Sequence, residues 1–150
     1  MNLKLETDRL YLRPFAMEDA SCFYEMNDDE QVMRYTGDVP FKNLDAAKEF
    51  VKKYNEDPES QYQKYQMGRL TMVRKTDDKA LGWSGLKYHP NEDVVDLGYR
   101  LKRKYWNKGY ATEAAKRCLQ HAFEDHQLKE VIANVHEKTQ LHKSLQNAAK

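Results

Sequence analysis

Two cysteines, four prolines and six glycines are few for a chain of 150 residues, and no uninterrupted apolar run is longer than three. Runs that short leave no segment with the character of a transmembrane span or a signal-peptide core. Cys22 and Cys118 stand far apart, outside any CxxC or metal-ligand spacing, and each falls on the apolar stripe of a predicted helix. Buried free thiols in a reducing cytoplasm are therefore expected rather than a bridge. The histidines form no HxxxH or Cys-His pattern, so no metal site is expected. An excess of charge is also missing: 25 basic against 24 acidic residues leave +1, which gives no global pull toward nucleic acid or an acidic membrane. Hydrophobic residues make up 40%, close to a folded composition and well clear of a disordered one. One cytoplasmic domain spanning residues 1–150 is the expectation.

The chain contains no repeat, linker or low-complexity stretch. Leu10-Tyr11-Leu12-Arg13 alternates and ends at Pro14, which predicts a first strand. Ala20, Phe23, Tyr24 and Asn27 predict a helix over 17–27. Asn43 is placed to cap a second helix, with Ala47, Phe50, Val51 and Tyr54 on one face and Asp57-Pro58 as its stop. Residues 66–74, 80–88 and 93–101 read as an antiparallel meander, the first turn being Lys75 to Lys79. The clearest segment is 111–126, where Ala111, Ala114, Ala115, Cys118, Leu119, Ala122 and Phe123 follow helical spacing. Its polar face offers Glu113–Arg117 as an i,i+4 pair. A short strand over 130–136 follows, so the meander passes into a βαβ unit whose two strands should run parallel. The fold class is thus α/β, a mixed sheet.

The turn that opens the long helix is Trp106-Asn107-Lys108-Gly109-Tyr110-Ala111-Thr112. The first turn of a helix has unpaired N–H groups and a partial positive charge, which suit a phosphate oxygen. Gly109 would let a ligand approach the backbone closely, and Lys102, Arg103, Lys104 and Lys108 add positive charge around the loop. The plainer alternative is an N-cap at Asn107, a turn glycine and a solvated basic rim.

Two stretches carry a resemblance. Leu5-Glu6-Thr7-Asp8-Arg9-Leu10, with Leu12-Arg13-Pro14-Phe15 and Asp19-Ala20, is similar to the opening of the ribosomal-protein N-terminal acetyltransferase (RimJ/RimL-like) branch of the GNAT superfamily. Asp96-Leu97-Gly98-Tyr99-Arg100-Leu101, followed by Tyr105 to Ala114, resembles that branch's acyl-CoA motif. The resemblance implies a GNAT-like fold and transfer of an acetyl group from acetyl-CoA to a primary amine by direct attack. In the family pattern, glutamine or arginine, two residues, glycine, one residue, then glycine or alanine cradle the CoA pyrophosphate. Trp106, Gly109 and Ala111 take those places, and Asn107 stands where the branch often has glycine. By resemblance, backbone N–H groups of Asn107, Lys108, Gly109, Tyr110, Ala111 and Thr112 would hold the pyrophosphate. The pantetheine arm would lie between the parallel strands, near Tyr99 to Leu101 and Asn134. Gly98 fits a bulge that opens such a gap, or a packing glycine.

An alkyl amine of pKa about 10.4 is only about 0.1% neutral near pH 7.4, so a group must take its proton. By resemblance Asp96 is that base, and backbone N–H groups near Tyr99 polarise the thioester carbonyl as an oxyanion hole does. Cys118 is a poor nucleophile candidate because its helical phase buries it. Asp28, Asp29 and Glu30 lie where the family lines its acceptor site, or in a solvated loop.

The C-terminal end departs from the family pattern. Thr139 and His142 stand in place of the expected Asn-x-x-Ser, Leu141, Leu145 and Ala148 suggest one short helix, and the two final strands are expected to be missing. No tyrosine follows Tyr110 to act as general acid, although a thiolate of pKa near 8.5 can leave unprotonated. An open sheet edge of that kind suggests a homodimer across it. Two alternatives stay open: a degenerate acyl-CoA-binding GNAT with little or no catalysis, and a nucleic-acid binder using Lys102 to Lys108. The near-zero net charge argues against the second.

Overall fold

The computed structural model describes residues 1–33 and 40–133. Its strands are β1 (Leu5–Glu6), β2 (Leu10–Arg13), β3 (Arg69–Arg74), β4 (Lys79–His89), β5 (Val94–Leu101) and β6 (Ile132–Ala133). They form one sheet in chain order, antiparallel throughout except for the parallel pair β5–β6. Helices α1 (Ala20–Asn27), α2 (Glu30–Met33), α3 (Leu44–Glu56) and α4 (Gln61–Tyr65) come before β3, and α5 (Tyr110–Glu124) joins β5 to β6.

Alternation along the strands separates two apolar layers. On one face Leu10, Leu12, Leu70, Met72, Leu86 and Leu97 pack with the Ala114, Ala115, Cys118, Leu119 and Ala122 stripe of α5. The other layer gathers Phe15, Phe23, Met26, Ala47 and Val51, from α1, α3 and the chain leading into them, with Ala80 and Trp83 of the sheet against it. Asn43 caps α3 as predicted, its side chain accepting from the Ala46 N–H at 2.9 Å.

Several expected boundaries move, each for a backbone reason. The predicted helix over 17–27 is a 3-10 turn at Met17–Asp19 followed by α1. The strand expected from residue 66 starts at Arg69, because Ser60 caps the unpredicted α4 and Gln66 ends it in the left-handed region, φ 56°. Asp93, φ 52°, likewise delays β5 to Val94. β1 was not expected; two residues are too short for a hydrophobic period to register. The strand predicted over 130–136 is described at Ile132–Ala133. Asn134 and the helix suggested by Leu141, Leu145 and Ala148 lie outside the described residues.

The β4–β5 register runs unbroken from Gly82↔Leu101 to His89↔Val94, so the bulge considered at Gly98 does not form. A register shift falls instead between Met72 and Val73 in the β3–β4 pairing. Gly98 is a packing glycine: a Cβ there would stand 3.0 Å from the Arg69 guanidinium.

Asp19 pins the turn after β2 to the sheet. Its carboxylate, 1% exposed, accepts from Arg13 Nη1 and Nη2 at 2.9 and 3.0 Å, Ala16 N–H at 2.8 Å and Thr71 Oγ1 at 2.7 Å. Asp19→Ala leaves the Ala16 N–H and the buried Thr71 hydroxyl without their acceptor and Arg13 with only Pro14 and Glu18, and is expected to cost about 3 kcal/mol, read as a lower urea midpoint. A loss under about 1 kcal/mol would show that solvent replaces the carboxylate.

Candidate active site

Beyond β5 the chain makes a 3-10 turn at Arg103–Tyr105 and reaches Trp106, whose Nε1–H donates back to the Leu101 carbonyl at 3.1 Å. Leu101 itself is buried. Asn107, φ 63°, and Gly109, φ 84°, are both left-handed, and between them they turn the chain into α5. Asparagine is among the few non-glycine residues that tolerate this region, so the turn forms at residue 107 without a glycine. Gly109, not Asn107, is the N-cap of α5, and no side chain caps that end. The first-turn N–H groups of the helix are therefore left to an external acceptor, in the positive field of its N-terminus. Lys102 pairs with Glu25 at 2.7 Å and Arg103 with Asp29 at 3.3 Å, whereas among the described residues no carboxylate pairs with Lys104 or Lys108. Tyr110 is buried, and Ala111 and Thr112 are half-buried along the opening turn.

The loop is held from the far edge of the sheet. Glu113, in the first turn of α5, accepts from Thr7 Oγ1 at 2.5 Å, Arg9 N–H at 2.9 Å and Arg9 Nε at 2.7 Å. Arg9 also donates through Nη1 to the Lys108 carbonyl at 3.0 Å, and its guanidinium lies over the Tyr110 ring at 4.3 Å. Glu113 thus turns to Arg9 and not to Arg117, the i,i+4 partner expected from sequence. Burial alone would raise the Glu113 carboxyl. The Thr7 hydroxyl and the Arg9 N–H and guanidinium outweigh it and hold the group below the ordinary carboxylate range.

Asp96 and Tyr99 point to opposite faces of the sheet, as residues three apart on a strand must. Tyr99 is paired with Ser84, whose Oγ meets Cys118 Sγ of α5 at 3.9 Å, so its side chain lies on the α5 face. Asp96 lies on the other face, 13% exposed, with Arg69 Nη2 2.8 Å from Oδ1 and His89 Nε2 2.5 Å from Oδ2. The Arg69 approach is close enough for an ion pair but too far off line for a hydrogen bond, since Oδ1 has no hydrogen-bond partner. Arg69 is itself fixed by stacking on Trp83, 5.1 Å from the ring centroid, and by donating to the Gly85 carbonyl at 2.5 Å. Asp96 and Leu97 are the β5 residues described as paired with β6, opposite Ile132 and Ala133.

Glu25, Asp28, Asp29, Glu30, Gln31 and Arg103 line an open cleft of about 440 Å³ beside the basic turn. Both thiols are buried, and burial pushes each up to about 12, which leaves neither as a nucleophile. No helix among the described residues is long and apolar enough to cross a membrane, and no group of three His, Cys, Asp or Glu side chains among them is placed to hold a metal ion. Arg9 and His89 were missed from sequence. Arg9 stands inside a quoted motif but contacts residues about a hundred positions away, and His89 has no neighbouring histidine or cysteine to mark it.

Residues 9–140 match the acetyltransferase (GNAT) domain, and the chain belongs to that family. The six-stranded mixed sheet is a GNAT fold. It is similar to the GNAT-family acetyltransferase from Bacillus anthracis, with a TM-score of 0.77 at 22% identity over 97% of this chain and 82% of that one. It is also similar to RimL, a ribosomal L7/L12 alpha-N-protein acetyltransferase solved with coenzyme A. There the TM-score is 0.76 at 10% identity, over 98% of this chain and 82% of that one. In sequence it is 28% identical over 132 residues to an uncharacterized N-acetyltransferase, p20, of Bacillus licheniformis, covering 87% of this chain and 72% of that protein. Family membership makes acetyl transfer its general activity.

Glu113→Gln is expected to lower stability by about 1 kcal/mol at pH 7, since the carboxylate's charge-assisted bonds are lost from a partly exposed site. Because the folded carboxyl titrates below its unfolded value of about 4.3, the wild type keeps the full advantage above that value. The gap to the variant closes as pH falls through the lower, folded value. Thermal melts at pH 7 and pH 3 check this; an equal gap at both would remove the charge from the account.

Proposed function

We propose that the protein transfers the acetyl group of acetyl-CoA to a primary amine by direct attack. A protein N-terminus, as in the ribosomal-protein branch its motifs resemble, is one acceptor class, and a small-molecule amine is the other. One observation carries the reading: the uncapped N-terminus of α5, entered through left-handed Asn107 and Gly109 and rimmed by Lys104 and Lys108, neither of which pairs with a carboxylate among the described residues. Those residues suit a pyrophosphate, with backbone N–H groups from Asn107 to Thr112 as its donors and Trp106 turned back onto the strand end. Leu101 and Tyr99 offer backbone to the pantetheine arm, and Asn134 is proposed as a further contact. The Tyr99 backbone N–H is the proposed donor to the thioester carbonyl; its side chain, on the α5 face, has no such part. The amine's proton leaves through the side chains gathered around Asp96, on the face covered by α1 and α3.

A second reading, an acyl-CoA binder with little or no catalysis, is favoured by one fact: both Asp96 oxygens face partners of the protein's own. Turnover separates the two. A homodimer is a separate proposal, and a monomer in light scattering at high micromolar concentration would count against it.

Calorimetric titration is expected to show saturable acetyl-CoA binding and none of a short oligonucleotide, with ATP as the phosphate control. Gly109→Val puts a branched side chain at φ 84°, its Cβ 3.2 Å from Arg9 Nη2. It is expected to weaken acetyl-CoA binding at least about tenfold, roughly 1.4 kcal/mol or more. Unchanged affinity in a folded variant would mean the loop is not the phosphate site.

A further inference from the structure

We propose that the cavity at the start of β5 binds a small organic ammonium ion with an apolar body, at a site separate from the donor loop. The cavity, of about 290 Å³, lies where the end of α4, the hairpin between β4 and β5, and the chain leading from α5 to β6 converge. Its size is at the small end for ligand pockets, roughly 300–1,000 Å³, which admits one ring and a short chain and excludes a nucleotide. Val95, in its lining, and Leu101, before the donor loop, are about 20 Å apart along β5 at roughly 3.3 Å per residue. The site therefore stands or falls apart from the acetyl-transfer reading.

The lining selects the ligand. Met67, Val95 and Leu128 supply an apolar floor for its body. Tyr65 and Tyr88 make a corner, with ring centroids 4.7 Å apart and planes at 68°, and aromatic faces attract cations. One of these rings already draws a cation: Lys64 Nζ stands 5.8 Å from the Tyr65 centroid, although its ammonium is committed to Glu59 at 2.7 Å. Asp93 and Glu130, both exposed, are the charged groups of the lining, and among the described residues no cation pairs with either. The field in the cavity is thus of one sign.

Asp93 is held in position for this role. Its Oδ1 accepts from the Tyr88 hydroxyl at 2.7 Å, and that bond pushes the phenol above its ordinary range, so the phenol remains a donor. Oδ2 has no hydrogen-bond partner among the described residues and is left to a ligand N–H. Other occupants fit less well. An anion meets two carboxylates, and a neutral apolar molecule leaves both of them and the ring faces unused. A metal ion needs three or more donor side chains together, which are not gathered here among the described residues.

The test uses the whole chain, phenethylammonium as probe and phenethyl alcohol as its neutral counterpart, read through the ¹³C methyl signals of Met67 and Leu128. Phenethylammonium is expected to shift both signals saturably, with a Kd of about 1 mM or lower. Phenethyl alcohol is expected to bind at least about fivefold more weakly. Asp93→Asn keeps a residue that tolerates φ 52° and an oxygen for the Tyr88 hydroxyl, and removes only the charge. Combined with Glu130→Gln, it is expected to weaken the ammonium about five- to tenfold and to leave the alcohol within about twofold. Tyr65→Leu, which keeps the apolar bulk, is expected to cost about threefold. Equal affinity for ammonium and alcohol would reveal an apolar crevice only and overturn the proposal. So would a double variant that binds the ammonium as tightly as the wild type, or no saturable shift at Met67 up to about 10 mM. An amine whose binding is lost instead in Asp29→Asn occupies the cleft beside the basic turn, which also overturns it. Titration with acetyl-CoA reads the donor loop, and its result stands in every case.

Discussion

The bonds that Glu113 accepts from Thr7 and Arg9 are the constraint on which the site depends. The loop at 106–112 has little of its own to fix it: two left-handed residues, one indole bond and an uncapped helix end. Arg9 supplies the missing restraint from the opposite end of the chain, gripping the Lys108 carbonyl, the Tyr110 ring and the Glu113 carboxylate together. Helix α5 is thereby clamped at its first turn, while its apolar stripe is buried along its length. A helix end with free N–H groups stays in place only if something other than those groups anchors it.

The same sheet presents two kinds of surface. On the α5 face, apolar side chains meet an alanine-rich stripe, and Tyr99 joins that layer. On the other face a row of groups that would be costly to bury alone is arranged so that each has a partner: Arg69 on Trp83 and Asp96, Asp96 with His89, and Arg100 with Asn27 at 2.8 Å. Gly98 lies beneath the Arg69 guanidinium because no side chain would fit between them. Strand alternation therefore places this charged row on the face opposite α5, beside the second apolar layer.

Much of this was legible in the sequence, for identifiable reasons. Helix α5 announced itself through a sustained period, α3 through its asparagine cap, and β2 through alternation ended by proline. The turn before α5 was readable because glycine and a following helix have few meanings together. What could not be read were contacts between distant segments. Glu113 has a plausible partner four residues on, at Arg117, and only the fold shows that Arg9 takes it. Gly98 is compatible with a bulge or with close packing, and the neighbour that decides is Arg69. Asp96 could be placed at the site by its motif, yet its engagement by two side chains depends on β3 and β4 lying beside it. His89 had no local pattern at all.

The open N-terminus of α5 also bears on how the reaction would end. On the proposed reading it grips the pyrophosphate, and that group is the same before and after the acetyl group has gone. Such a grip strengthens donor and product alike, so it favours saturation without hastening the chemical step. Discrimination between the two must come from the thioester end, along β5. Free CoA should therefore linger in the site and compete with fresh donor, which ties the rate of the enzyme to the ratio of acylated to free coenzyme in its surroundings.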